Sequence, residues 1–171
     1  MAALLVTVLA GLGLGGASGW MLATPQSGRT VTIVNARSFD PYGSGPSGEN
    51  DTLLSKLFDK NRGTDWTTET YVHGLTKLGV GVILEVSDNV PLRDLSVVTG
   101  NRGWTLQAFV SPAPHADLAG WGAPVAEVVG VGASERLDLH GRAGRFVLCW
   151  ITDLGPNNQA RIAEVSVRSE S

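Results

Sequence analysis

The sequence predicts an all-β sandwich or barrel behind an apolar N-terminal segment. Three observations carry this. From Arg29 onward the apolar residues fall in short runs rich in Val, Ile, Leu and Trp, several alternating with polar residues, the period of a half-buried strand. Clusters of Gly, Pro, Asn and Asp separate the runs at the spacing that sandwiches and barrels show. Only the stretch around Asn50–Phe58 carries apolar residues at helical spacing.

The N-terminal segment comes first. From Met1 to Gly28 there is no charged side chain, and most of Ala2–Ala23 is Leu, Val, Ala and Gly. A helix needs about 20 apolar residues to cross the hydrocarbon core, and this run just reaches that. Residues 1–28 therefore read as a transmembrane helix and linker, with a signal segment as the alternative. A secretory signal calls for a cationic start, a shorter apolar core and a small-x-small cleavage site; here the start offers only its α-amino group. Trp20 suits the headgroup interface. Arg29 and Arg37 follow the span, and on charge alone would hold the domain on the cytoplasmic side. That rule weakens when a span is the last of several.

Thr30–Val34 is β-branched and reads as the first strand. Asp40–Gly48 is a Gly/Pro/Ser loop without periodicity. Asn50 or Asp51 can cap a short helix in which Leu53, Leu54, Leu57 and Phe58 form one face, and Asn61-Arg62-Gly63 ends it. Val80–Val86 is a strand closed by a turn at Ser87–Pro91, and Leu92–Val98 is the next. Trp104–Val110 alternates cleanly. Pro112–Gly132 is an irregular excursion with a short strand at Val125–Val129. Leu137–Leu139, Phe146–Thr152 and Ile162–Val167 complete the set.

Composition narrows the function. The chain has 13 Lys+Arg against 16 Asp+Glu, a net charge of −3, without the cationic stripe that phosphate neutralisation requires. Nucleic acid is not an expected partner. Cys149 stands alone in an apolar run, so an intrachain disulfide is excluded and an inert buried thiol is expected.

A set of short segments carries a family resemblance. They are Phe39-Asp40-Pro41, Glu49-Asn50, Asp59, Thr64-Asp65-Trp66-Thr67-Thr68-Glu69-Thr70-Tyr71, Lys77–Gly81, Gly120-Trp121, Leu148–Leu154 and Ala160–Val165. In this order the chain resembles the galactose-binding-domain-like jelly rolls (discoidin, or coagulation factor 5/8 type C-like). It resembles in particular the domain at the C-terminus of actinobacterial MviN/MurJ-type lipid II flippases. Related domains follow the span of some serine/threonine kinases and pseudokinases. The resemblance covers Phe39 to about Val167.

It implies a jelly-roll β-sandwich over residues 29–171, held outside the cell membrane by a single-pass anchor. The implied role is non-catalytic binding of peptidoglycan or another cell-wall glycan, or of a cell-wall assembly protein. The alternatives are the sensor domain of a kinase and a small wall-acting enzyme on the same scaffold. The resemblance also implies one structural Ca2+ between the first loop and the last strand, on Asp59, Asn61, Thr64 and Glu164. Where relatives read Asp-Gly-Asp, this chain has Asp59-Lys60-Asn61, a departure that sets a lysine beside the ion.

A sugar site needs a flat aromatic ring to stack on and planar polar groups for the hydroxyls. Tyr71, His73, Arg102 and Trp104 lie in or beside loops and are the expected ligand-binding residues. Trp66, Trp121 and Trp150 are expected in the core. His73, His115 and His140 show no metal-ligand spacing, and no Gly-x-Ser-x-Gly elbow, Walker loop or Cys–His arrangement is present. Asp117 and Glu127 are the one carboxylate pair that can be imagined. No enzymatic activity is expected.

Overall fold

The computed structural model describes residues 28–43 and 48–170. The predicted anchor over residues 1–27 lies outside them. Among the described residues no helix is long and apolar enough to cross a membrane. The strands are β1 (Thr30–Val31), β2 (Ile33–Phe39), β3 (Trp66–Thr67), β4 (Val80–Thr99), β5 (Thr105–Ser111), β6 (Ala126–Val128), β7 (Ser134–Asp153) and β8 (Arg161–Ser169). Short 3₁₀ helices run over Asp51–Phe58 and Ala119–Trp121. All strand pairings are antiparallel.

Two 20-residue strands, β4 and β7, organise the fold. The first half of β4 pairs with β2 and with the second half of β7, which pairs on with β5, and β5 with β6. The second half of β4 pairs with β8 and with the first half of β7, while β1 and β3 both pair with β8. The long strands thus pass from a front layer to a back layer. Val82, Leu84 and Ile151 from the front pack with Leu95, Leu137 and Val165 from the back in one inner core. Each fully buried side chain of this size stabilises by about 1.5–3 kcal/mol against leaving it in water.

The sequence placed turns at Ser87–Pro91 and between Leu139 and Phe146, and the structure corrects both. The pairing of β4 shifts register between Glu85 and Val90 and again between Leu92 and Asp94, so the polar residues are absorbed as bulges that bend the strand. On β7 the matching bend falls at His140 and Gly141, with φ of 54 and 63. A bulge uses the same Gly and Asp residues as a turn, without reversing the chain. The first strand also differs, breaking at Thr32 and continuing to Phe39.

A second apolar cluster lies on the other face of the front layer: Phe39, Ile83, Phe109, Trp121, Leu148 and Trp150. The irregular segment after β5 brings Trp121 onto Phe39, ring centroids 6.2 Å apart and edge to face. Because both faces of this layer are covered, Val82-Ile83-Leu84 and Val147–Ile151 are buried without alternation. Cys149 is fully enclosed, and burial pushes its thiol up to about 12. Trp66, Trp121 and Trp150 are core residues, as expected.

Candidate functional site

Three loops meet at one end of the sandwich, where the pairs Val80–Ile151 and Thr105–Asp153 close the front layer. The Tyr71 N–H donates to the Asn158 carbonyl at 2.8 Å. The Asn101 and Asn157 side-chain amides donate to the Gln159 and Arg102 carbonyls, each at 2.7 Å. Gly103 and Gly155 sit back to back with φ of 93 and 59, and a Cβ on Gly155 would run into the Gly103 carbonyl. These contacts fix a rim that carries His73 and Arg102 as exposed side chains.

Trp104 lies beneath this rim. It is fully buried and its indole N–H donates to the Asn101 carbonyl at 3.1 Å. It therefore offers no ring face to a ligand, which corrects its expected role as a stacking residue. A Trp after a Gly-bounded turn can point either way, and here the loop-to-loop packing draws it inward.

Tyr71 is half-buried and already engaged. Its hydroxyl donates to the Glu49 carboxylate, and the Lys77 ammonium sits 5.1 Å from its ring centroid, a cation–π geometry. Burial, and then the hydrogen bond and charge of Glu49, push the phenol far above its ordinary value. Glu49, 1% exposed, also accepts from the Glu69 N–H at 2.6 Å and faces Lys77 at 3.4 Å. Its backbone carbonyl accepts from the Trp66 indole at 2.6 Å. Tyr71 thus positions the rim rather than presenting a surface. Glu49 is its hub, which the sequence marked as part of the resemblance but not as a site residue.

Lys77 reaches on to Asp40 at 2.6 Å, which ties in the turn carrying Tyr42. The Tyr42 ring is 42% exposed and stands edge-on to Trp150 at 6.3 Å. Among the described residues it is the one exposed side chain of Phe, Tyr or Trp. In the same turn Asp40 Oδ1 is buried without a hydrogen-bond partner. Val72 and Leu78 on the adjoining loop are exposed apolar residues. Tyr42 was missed in the sequence because Pro-Tyr-Gly reads simply as a turn.

The four expected cation ligands come together. Asp59 Oδ1 accepts from the Asn61 N–H, and Oδ2 from the Thr64 hydroxyl, both at 2.8 Å. The hydrogen bond from Thr64 is the main cause that lowers the Asp59 carboxyl below its ordinary range. Glu164 enters from β8 with Oε2 buried and unpartnered. Burial raises its carboxyl, and the charge of Asp59 adds to this, against Lys60 and Asn61 backbone groups and Arg62. Lys60 holds the left-handed conformation with φ 63, as a glycine would. A cavity of about 290 Å³ lined by Phe58, Lys60 and Glu164 opens alongside. Two apposed carboxylates, one with an orphaned oxygen, fit a hard, oxygen-seeking cation completed by the Asn61 and Thr64 oxygens.

The residues considered for catalysis do not converge. His115 lies 2.9 Å from the buried Ser111 hydroxyl and packs edge-on to Trp121, His140 pairs with Asp138, and His73 is on the rim. Asp117 accepts from the Gly120 N–H and Glu127 from Gln107, so each is spent locally.

No protein-family model and no curated protein matches the chain. Its fold is nevertheless shared with solved structures. A pectin binding carbohydrate binding module aligns with TM-score 0.58 and 19% identity, over 83% of this chain and 94% of its own. The CBM32 of AlyQ, solved with 4,5-unsaturated mannuronic acid, gives 0.59 and 17%, over 81% and 97%. Chitosan-binding module 1 of a chitosanase/glucanase from Paenibacillus sp. IK-5 gives 0.59 and 15%, over 79% and 94%. The fold is therefore the β-sandwich of these carbohydrate-binding modules, the coarse architecture that the sequence resemblance implied.

Proposed function

We propose that this chain is a non-catalytic carbohydrate-binding module that holds a glycan on the loop rim. The exposed Tyr42 ring supplies a stacking face, and His73 and Arg102 supply polar groups for hydroxyls. The observation that carries the reading is this exposed aromatic in a rigid rim, on a fold shared with modules named for pectin and chitosan binding. Asp59, Asn61, Thr64 and Glu164 hold a structural Ca2+ that pins the first long loop to β8. The ion supplies cross-linking, not chemistry on the ligand.

The setting of this proposal is the outer face of a cell membrane, with peptidoglycan or another wall glycan as ligand, as in the tail of a MviN/MurJ-type flippase. That setting rests on the sequence resemblance. A tether would raise the module's effective concentration near the wall, so a weak site suffices. The test is retention of the chain on immobilised glycans, including peptidoglycan and neutral and acidic plant polysaccharides. Retention lost in Tyr42→Ala supports the rim. Equal retention of both proteins removes Tyr42 from the site, and no retention on any glycan overturns the function.

A further inference from the structure

The outer face of the back layer is polar. Alternation places Leu95, Val97, Leu137, Leu139, Val165 and Val167 in the core, which turns Asp94, Ser96, Arg136, Asp138, Ser166 and Arg168 outward. Asp94 lies directly opposite both Asp138 and Arg168, and Ser96 opposite Arg136 and Ser166. A cavity of about 270 Å³ opens here, lined by Arg93, Asp94, Arg136, Asp138 and Glu170. That is close to the small end of ligand pockets, about 300 Å³.

Its floor is a buried carboxylate shared by too many cations. Asp94 is 4% exposed, and Arg168 takes both of its oxygens through a two-point contact at 2.9 Å each. The Nε atoms of Arg93 and Arg136 stand 3.7 and 3.9 Å from the same carboxylate, too far to hydrogen-bond. They gain charge attraction there, and both side chains line the cavity. Among the carboxylates on the walls, Asp138 accepts from the His140 N–H at 2.7 Å, and Glu170 borders the cavity beside Gly141. The cavity thus offers guanidinium donors together with carboxylate acceptors.

We propose that this cavity is a second saccharide subsite that takes one carboxylated sugar residue. The sugar carboxylate sits against the Arg93 and Arg136 forks, the planar match that guanidinium makes with carboxylate. Its hydroxyls donate to Asp138 and Glu170. A neutral sugar would leave the two forks unanswered, and a simple anion would leave the wall carboxylates unanswered. The subsite lies on a sheet face built from β4, β7 and β8, and stands or falls independently of the rim.

The test is amide NMR on the full chain titrated with glucuronate, glucose and acetate as probes. Glucuronate should move the signals of Arg93, Asp94, Arg136, Asp138 and Glu170, with glucose and acetate at equal concentration leaving them in place. Arg136→Ala should weaken the response about tenfold, the scale of one charge-assisted hydrogen bond. Its side chain is 64% exposed, so its melting temperature should match the parent. Arg93→Ala should weaken the response likewise. Tyr42→Ala should leave it unchanged. An equal response to glucose, an unchanged response in both arginine variants, or no shift at these residues overturns the proposal. A response abolished by Tyr42→Ala also overturns it, by assigning glucuronate to the rim.

Discussion

Glu49, before the first 3₁₀ helix, and Glu164, on β8, each hold carboxylate oxygen away from solvent, and the chain completes them differently. Around Glu49 it supplies the partners itself: the Glu69 N–H, the Tyr71 hydroxyl and the Lys77 ammonium. Around Glu164 the buried Oε2 has no partner and the Asp59 carboxylate opposes the charge, which Arg62 and the Lys60 and Asn61 backbone groups offset only in part. A buried charge without compensation is costly. Glu49 is therefore finished architecture that shapes the rim, whereas Glu164 is arranged for something that arrives from outside.

Breaking the finished cluster should have the largest effect. Glu49→Ala strands Lys77, Tyr71 and the Glu69 N–H, and should destabilise by about 2–4 kcal/mol in urea unfolding, with loss of rim binding. Next comes the cation. Ca2+ in excess should stabilise the chain by about 2–3 kcal/mol once it exceeds its dissociation constant a hundredfold, and EDTA should reverse this. Glu164→Gln should abolish the response. A melting temperature indifferent to both Ca2+ and EDTA would remove the ion and leave the buried Oε2 of Glu164 unexplained.

A smaller effect follows from pH. The folded state raises the Glu164 carboxyl above its ordinary 4.5, so it binds the proton more tightly than the unfolded chain does. In EDTA, stability should therefore rise as pH falls through the range just above that ordinary value. Asp59, lowered from 3.8, acts oppositely but only below that window. Glu164→Gln should flatten the rise, and saturating Ca2+ should reverse it, since protons then compete with the ion. The smallest stability effect belongs to Tyr42→Ala, within about 0.5 kcal/mol because the ring is exposed, although glycan retention should be lost.

Much of the fold was legible because burial writes itself into the residue pattern. The runs at Val80–Val86, Trp104–Val110 and Ile162–Val167 are strands, and the helical face at Leu53–Phe58 is real, though its turns are 3₁₀. Asn50 stands at the helix start, yet its side chain donates to Thr67 and Thr68 instead of capping. The continuity of β4 and β7 was not legible, because a bulge and a turn draw on the same residues. Of the site, Asp59 and Glu164 were found by resemblance and lie together as implied. Trp104 was misplaced, and Tyr42 and Glu49 were missed. Exposure of a single loop ring depends on which loops pack over it, and local sequence does not encode that.

The most direct measurement is a two-dimensional amide NMR map of the full chain with the best-retained glycan. The account predicts shifts concentrated at Tyr42, Val72, His73, Leu78 and Arg102, with Ser87–Asn89, in the bend of β4, unmoved. A glycan that binds while leaving Tyr42, Leu78 and Arg102 unmoved would contradict it.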